Sequence, residues 1–346
     1  MITKRLARLH PARRVSALVG AALLTAAGVA AVVSPAAAAP TDSTALLGKT
    51  VFLDPGHQGS AAGHDLDRPV PDGRGGTKPC QTTGATSVTG VAEHTINWQI
   101  AQQVKAGLES QGARVVLSRP DDTGWGGCVD ERAAAASQSG AAVAVSLHAD
   151  STSEGADPTD RGFHLIVPTL PLPDAAANTA QSGNGRLAST TMRDAFVRAG
   201  FPAANYAGVQ NGIQTRSDIA AVNLTTVPAV FIEMGNLSNP TEAAALSSGG
   251  GQLKYSMAIT EGIVNYVKGA TPQTLNNVPE TPTTPGTTTD PDLSAVLPFV
   301  QKLLNTSDPV AIAQLLLTEG QDVSAEVINA MLSVIYGLFG GTLPTS

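Results

Sequence analysis

The chain has 346 residues, 42% of them hydrophobic and 4% aromatic, with 21 Lys and Arg against 28 Asp and Glu for a formal net charge of −7. This length and apolar share exclude a disordered chain and leave room for one large domain with additional segments. The acidic balance excludes a typical nucleic-acid binder, which holds phosphates with clustered Lys and Arg.

In chain order, residues 1–39 come first: Lys4, Arg5, Arg8, Arg13 and Arg14 lead into an uncharged run, followed by Ser34-Pro35 and an alanine tract. A basic start, an apolar middle and small residues at the end predict a signal peptide cut among Ala36 to Ala39, with a retained membrane anchor as the alternative. Cleavage removes five basic residues and no acidic ones, leaving 16 against 28 and a net of −12. No further run of about 18 apolar residues follows, so no transmembrane anchor is expected after cleavage.

Residues 45–270 alternate apolar β-rich runs with helical patterns. Strands are expected over 49–53, 114–118, 142–147, 162–167 and 229–232, and helices over 92–111, 129–139, 186–199 and 253–267. Such alternation predicts an α/β domain with a single mostly parallel sheet flanked by helices on both faces. Cys80 and Cys128 are the two cysteines of the chain. In an oxidising compartment a lone pair forms a disulfide; free thiols or metal ligands are the alternatives, although no C-x-x-C spacing accompanies them. Residues 271–292 are Thr- and Pro-rich and read as a semi-rigid linker. Residues 293–340 form a helical C-terminal tail whose stripes, Leu293, Val296, Leu297, Val300 and then Val327, Met331, Ile335, Leu338, require a partner surface on the main domain, a second copy or the cell envelope.

Open α/β sheets bind ligands beyond the carboxyl ends of their strands. Three expected strands are each followed there by a residue able to do chemistry: His57, His148 and Glu233. Singly, they read as a turn histidine, a core histidine and the start of a solvated loop. A fourth candidate, Glu93, continues the apolar stripe Ile96, Ile100, Val104, Leu108 to the start of its helix and therefore points inward, where a carboxylate needs a partner. The neighbouring His94 is rotated towards solvent or the cleft rim. Two imidazoles and a carboxylate, His57, His148 and Glu93, make the ligand set of a catalytic zinc site with an open fourth position. Asp54 and Asn97 are candidates for orienting those ligands, Asp54 serving equally well as a turn hydrogen-bond acceptor. Glu233, outside the ligand set, is the candidate to carry a proton from water to a leaving nitrogen.

The segments Asp54-Pro55-Gly56-His57, Glu93 with Asn97, Ser146-Leu147-His148-Ala149, and the run from Pro228 through Glu233 to Asn239 resemble the zinc-dependent N-acetylmuramoyl-L-alanine amidases of the amidase type 3 family, bacterial cell-wall hydrolases. Leu117-Ser118-Arg119, Glu131-Arg132 and Thr215-Arg216 support the resemblance, which covers nearly all of 48–268. It implies a six-stranded sheet, one Zn2+ on His57, Glu93 and His148, and Glu233 as general acid/base. The implied substrate is peptidoglycan or a muramyl peptide, cut between N-acetylmuramic acid and L-alanine, and the implied location is secreted, in the periplasm or cell wall. Alternatives in the same chemistry are a zinc peptidase acting on stem or cross-link bonds and a non-catalytic peptidoglycan-binding regulator. Asp150, Gln58 and Asn236 depart from the usual pattern beside the ligands. Arg216 is a candidate to hold a stem-peptide carboxylate, or else to pair with Asp218. His64 and His164 read as ordinary, and residues 152–161 as a loop bordering the cleft or, equally, a plain solvated surface loop.

Overall fold

The computed structural model describes residues 45–153 and 155–269. The signal peptide read at 1–39, the linker at 271–292 and the helical tail at 293–340 lie outside the described residues. Among the described residues, no helix is long and apolar enough to cross a membrane.

The strand β1 (Thr50–Pro55) is buried from Val51 onward. It is flanked in parallel by β4 (Arg114–Leu117) and β5 (Val143–Asp150). Next to β5 lies β8 (Ala229–Asn236), also parallel. Beyond it β6 (His164–Pro168) runs antiparallel to β8, and β7 (Ile213–Arg216) runs parallel to β6. The order β4-β1-β5-β8-β6-β7 gives the six-stranded, mostly parallel sheet that was expected. A separate antiparallel hairpin, β2 (Pro69–Pro71) and β3 (Thr77–Pro79), lies outside this sheet.

Alternation along the strands sorts side chains between the two faces. Val51, Leu53, Val145, Leu147, Val230 and Ile232 share one core with Ile96, Ile100, Val104 and Leu108 of α1 (Glu93–Glu109), Met192 and Phe196 of α4 (Arg186–Arg198), and Ile259 and Ile263 of α7 (Gly249–Val267). Each large aliphatic side chain sealed there stabilises the fold by about 1.5–3 kcal/mol relative to exposure. Helices α4 and α7 approach closely because residue 262 is glycine: a β-carbon there would lie 2.6 Å from Met192 Sδ. On the opposite face Phe52 and Ala144 pack with Ala136 of α2 (Val129–Gln138), while Ile166 and Phe231 pack with Val222 of α5 (Ala220–Leu224). This second face is only partly apolar. Asp54, Ser146, His148, Glu233 and His164 share its side-chain phase, so the sequence has reserved one side of the sheet's end for polar groups.

Several element limits differ from the sequence reading. Strands β5 and β8 run on to Asp150 and Asn236, so His148 and Glu233 stand inside the last turns of pleat, not beyond the strands. A polar residue that alternates with buried ones looks, in sequence, like a strand terminator. Helix α7 begins at Gly249, a turn earlier than expected, because the Ser248 hydroxyl caps it by accepting from the Gly251 N–H at 3.3 Å. Three consecutive glycines hide that start from propensity. The hairpin, β7, α3 (Ala175–Ala180), α5 and α6 (Pro240–Leu246) are additions, each too short for periodicity to reveal.

Cys80 and Cys128 form a disulfide with Cα atoms 4.6 Å apart, which settles the three readings open at the sequence level. The bridge ties the end of β3 to the N-cap of α2, where Glu131 Oε2 accepts the Cys128 N–H at 2.8 Å. Closing a span of 48 residues is worth about 4 kcal/mol in the chain-entropy account.

Candidate active site

After Pro55 the chain turns through Gly56 into His57, whose φ of +61° lies in the left-handed region. That conformation is uncommon for a side chain with a β-carbon and must be held by its surroundings. Two buried arginines hold it. Arg119 Nε and Arg132 Nη1 each donate to the Pro55 carbonyl at 3.0 Å, and Arg132 Nη2 donates to the His57 carbonyl. Arg132 is itself fixed by Asp54 at 2.9 Å, and Asp54 accepts from Ser146 Oγ at 2.7 Å. Asp54 therefore makes neither the ligand contact nor the turn bond expected of it; it anchors the arginine that shapes the turn. Burial pushes the Asp54 carboxyl up, but Arg132 and the serine hydroxyls outweigh that and leave it below its ordinary value.

Glycines make room for the rings. A β-carbon on Gly56 would sit 2.3 Å from His148 Cε1, and one on Gly84, at φ +77°, 2.8 Å from His57 Cδ2. The space these residues leave brings three donors together. His57 Nε2 lies 3.0 Å from Glu93 Oε2, His148 Nδ1 lies 3.1 Å from Glu93 Oε1, and the two ring nitrogens are 3.2 Å apart. His57 Nδ1 stands 3.1 Å from the Thr82 carbonyl; donating its proton there leaves the Nε2 lone pair facing the cluster. The His148 ring stacks on Phe231 at 4.4 Å. Glu93, at the first turn of α1, accepts from the Ala149 and Ala85 N–H groups at 3.1 and 2.9 Å and from Asn97 Nδ2 at 3.3 Å, so Asn97 does orient this carboxylate. Burial opposes charge on Glu93, yet its hydrogen bonds to His148 and His57 hold its carboxyl well below the ordinary range. Burial lowers His148, favouring the neutral imidazole that ligates metals.

These residues fit zinc. A tetrahedral ion with bonds of about 2.0–2.1 Å needs donor atoms about 3.3 Å apart; the two ring nitrogens stand 3.2 Å apart, one ligand atom of each residue lies within 4.8 Å of the others, and nitrogen-rich donors disfavour magnesium or calcium. His57, Glu93 and His148 are also the cluster of His, Cys, Asp or Glu able to hold an ion among the described residues. His94 is not part of it. Its Nδ1 meets Asp122 Oδ1 at 2.8 Å in a bracket completed by Arg119, and its side chain stays 19% exposed.

Glu233 stands in register with His148 across the β5–β8 pair, and both line one cleft of about 400 Å3 together with His57, Glu93, Asp150 and Arg216. Burial first, then the Asp150 and Glu93 carboxylates, hold the Glu233 carboxyl well above its ordinary value, with Arg216 partly offsetting them. Arg216 forms a two-bond fork with Asp218, Nε to Oδ1 at 2.9 Å and Nη2 to Oδ2 at 2.5 Å. The pair keeps the guanidinium oriented at the cleft wall.

Comparison with known proteins gives this arrangement its family. The amidase 3 family, described as N-acetylmuramoyl-L-alanine amidase, matches residues 51–265. The chain belongs to that family. It is 39% identical over 236 residues to the N-acetylmuramoyl-L-alanine amidase Rv3717 of Mycobacterium tuberculosis, spanning 68% of this chain and 92% of that one. Among solved structures it resembles the N-acetylmuramyl-L-alanine amidase Ami1 of Mycobacterium smegmatis (42% identity, TM-score 0.59, 64% of this chain and 98% of that one). Ami1 of Mycobacterium abscessus in its apo form is similar at 37% identity and TM-score 0.59, covering 64% and 99%.

Within this amidase domain the three departures near the ligands take separate places. Gln58 Nε2 donates to the Thr82 carbonyl at 3.1 Å, beside the group that holds His57. Asn236 is buried and fastens the loop over 152–161, donating to the Asp160 carbonyl at 2.9 Å. Asp150 lines the cleft, where β8 carries one extra residue relative to β5 and the register shifts. Sequence reasoning missed Lys78, which also lines the cleft and donates from Nζ to the Asp218 carbonyl at 2.8 Å. Its three-residue strand between glycines and Cys80 offered no periodic signal.

Proposed function

We propose that the chain is exported and hydrolyses the amide between N-acetylmuramic acid and the L-alanine of the stem peptide, with one Zn2+ on His57, Glu93 and His148 and with Glu233 as general acid/base. The observation that carries this reading is the convergence of His57, Glu93 and His148, one ligand atom of each within 4.8 Å of the others, beside a further acidic group, Glu233, on the strand next to that of His148. A bound zinc ion supplies a Lewis acid for the scissile carbonyl and for the acidity of water. Glu233 as carboxylate takes a proton from the attacking water. As the carbon–nitrogen bond breaks, it passes that proton to the departing amide nitrogen, so that L-alanine leaves with a free amine. A raised pKa suits a group that must hold the proton between those two events. Arg216, whose Nε–Nη2 edge is held by Asp218, receives a stem-peptide carboxylate on its remaining Nη1 edge. Export is supported by the basic and apolar pattern of residues 1–39, and it would bring the enzyme to where peptidoglycan is found.

The test is mass spectrometry of products after the purified protein is incubated with a muramyl peptide. Release of a peptide beginning with L-alanine supports the reading. Release of D-alanine, or cleaved cross-links with the lactyl amide intact, overturns it in favour of a peptidase, and no product from zinc-loaded protein overturns it in favour of a binder.

A further inference from the structure

His164 opens β6 and stands directly opposite Glu233 in the antiparallel β6–β8 pair, as His148 stands opposite Glu233 in the parallel β5–β8 pair. Opposed residues leave the same face of the sheet with β-carbons about 4.5–5.5 Å apart. A row of three side chains, His148, Glu233 and His164, therefore crosses the rim. His148 meets Glu93 and His57. His164 is 1% exposed, and neither of its ring nitrogens has a hydrogen-bond partner among the described residues.

A polar ring sealed in this way is destabilising unless it is used. Its neighbours are polar and equally unpaired. Tyr206 meets the ring edge-on at 5.9 Å, Gln214 is its polar neighbour on β7, and Tyr206 Oη, Gln214 Oε1 and Glu233 Oε2 have no hydrogen-bond partner among the described residues. An apolar residue at 164 would fill the same space without that penalty. Burial pushes the imidazole down to about 4; Asp150 and Gln214 oppose the shift and Arg216 adds to it. At neutral pH the ring is therefore uncharged, with one N–H donor and one acceptor nitrogen.

We propose that His164 is a positioning residue for Glu233: the two unpaired groups stand opposite each other across the β6–β8 pair, and when substrate and water enter the cleft the neutral ring gives an N–H to the Glu233 carboxyl and fixes that group's orientation towards the attacking water. The proposal rests on Glu233 being the proton carrier. It also accounts for a histidine where packing alone calls for a hydrocarbon.

The experiment compares wild type, His164→Phe, His164→Gln and Glu233→Gln on one muramyl peptide, reading kcat and KM separately together with zinc content and melting temperature. His164→Phe is expected to keep its zinc and its KM and to lose about 10- to 100-fold in kcat, the scale of a misplaced reacting group. His164→Gln, which keeps a donor, is expected to recover much of that loss. Unchanged kcat in His164→Phe, a loss confined to KM, or a Gln variant no better than Phe overturns the proposal. Failure of His164→Phe to fold moves the comparison to His164→Met; if no apolar variant folds, the histidine is structural and the proposal falls. An inactive wild type, or an active Glu233→Gln, removes the reading beneath the proposal, whereas active wild type, inactive Glu233→Gln and unaffected His164→Phe remove this inference alone.

Discussion

Replacing Arg132 by methionine takes one guanidinium from the turn that presents His57. The side chain is buried and bonds Asp54 at 2.9 Å, the Pro55 carbonyl at 3.0 Å and the His57 carbonyl. Methionine replaces the aliphatic stem without the guanidinium and leaves the Asp54 carboxylate, 12% exposed in its side chain, with the Ser146 hydroxyl as its remaining hydrogen-bond donor. Removing one partner of a buried pair is destabilising by about 3–5 kcal/mol, which for a domain of this size lowers the melting temperature by roughly 6–20 °C. The left-handed His57 also loses a donor on its carbonyl and is freer to relax, so zinc affinity is expected to fall by about 10- to 100-fold, as for other groups that orient ligands. Metal-free protein is melted by circular dichroism at pH 7, and zinc affinity is measured by competition with a chromogenic chelator. Adding Asp54→Asn removes the stranded charge, and the double variant is expected to be more stable than the sum of the single changes allows. The pH dependence has a definite sign. Folded Asp54 titrates below its ordinary 3.8, so its stabilisation is complete above that value and is lost as the pH falls through the folded value. Without Arg132 the onset of acid unfolding moves to higher pH. A variant that melts within about 2 °C of wild type and binds zinc as tightly refutes this reasoning.

Glu233→Gln is expected to lose about 100- to 10,000-fold in kcat while keeping its zinc, and undiminished turnover rejects the proton-transfer role. Gly56→Ala places a β-carbon 2.3 Å from His148 Cε1, so the ring must move and zinc affinity should fall by at least about tenfold; unchanged affinity contradicts the close packing read there. Reducing the Cys80–Cys128 bridge, or replacing both residues by serine, should cost about 4 kcal/mol less any relief of strain, seen as a lower urea midpoint, and an unmoved midpoint shows that the 48-residue span is restrained by other contacts.

Much of the site was legible in the sequence because the catalytic candidates follow apolar strand cores, and apolar runs are what sequence displays most clearly. His57, Glu93, His148 and Glu233 line one cleft, since His148 and Glu233 ride on adjacent parallel strands, His57 follows the strand beside them and Glu93 continues an inward helical stripe. What stayed hidden depends on contacts between segments far apart in the chain. Arg132 lies in an alanine-rich helix, and only the fold shows its guanidinium beneath the His57 turn, 78 positions away from Asp54. His94 looks outward by helical phase, and only the fold shows that Asp122, on a distant loop, pairs with it. His164 read as ordinary because one polar residue at the head of an apolar strand resembles a strand boundary, and its opposition to Glu233 depends on an antiparallel pairing that no local pattern encodes. Edge strand β7 carries one apolar residue in Ile213–Arg216 and so leaves no alternation to detect.

The central claim is tested most directly by native mass spectrometry of the protein after zinc loading and removal of loose metal, run beside His148→Ala. One zinc ion per wild-type chain, with occupancy largely lost in the variant, is the predicted result. Equal occupancy in the two proteins contradicts the assignment of His57, Glu93 and His148 as a single metal centre.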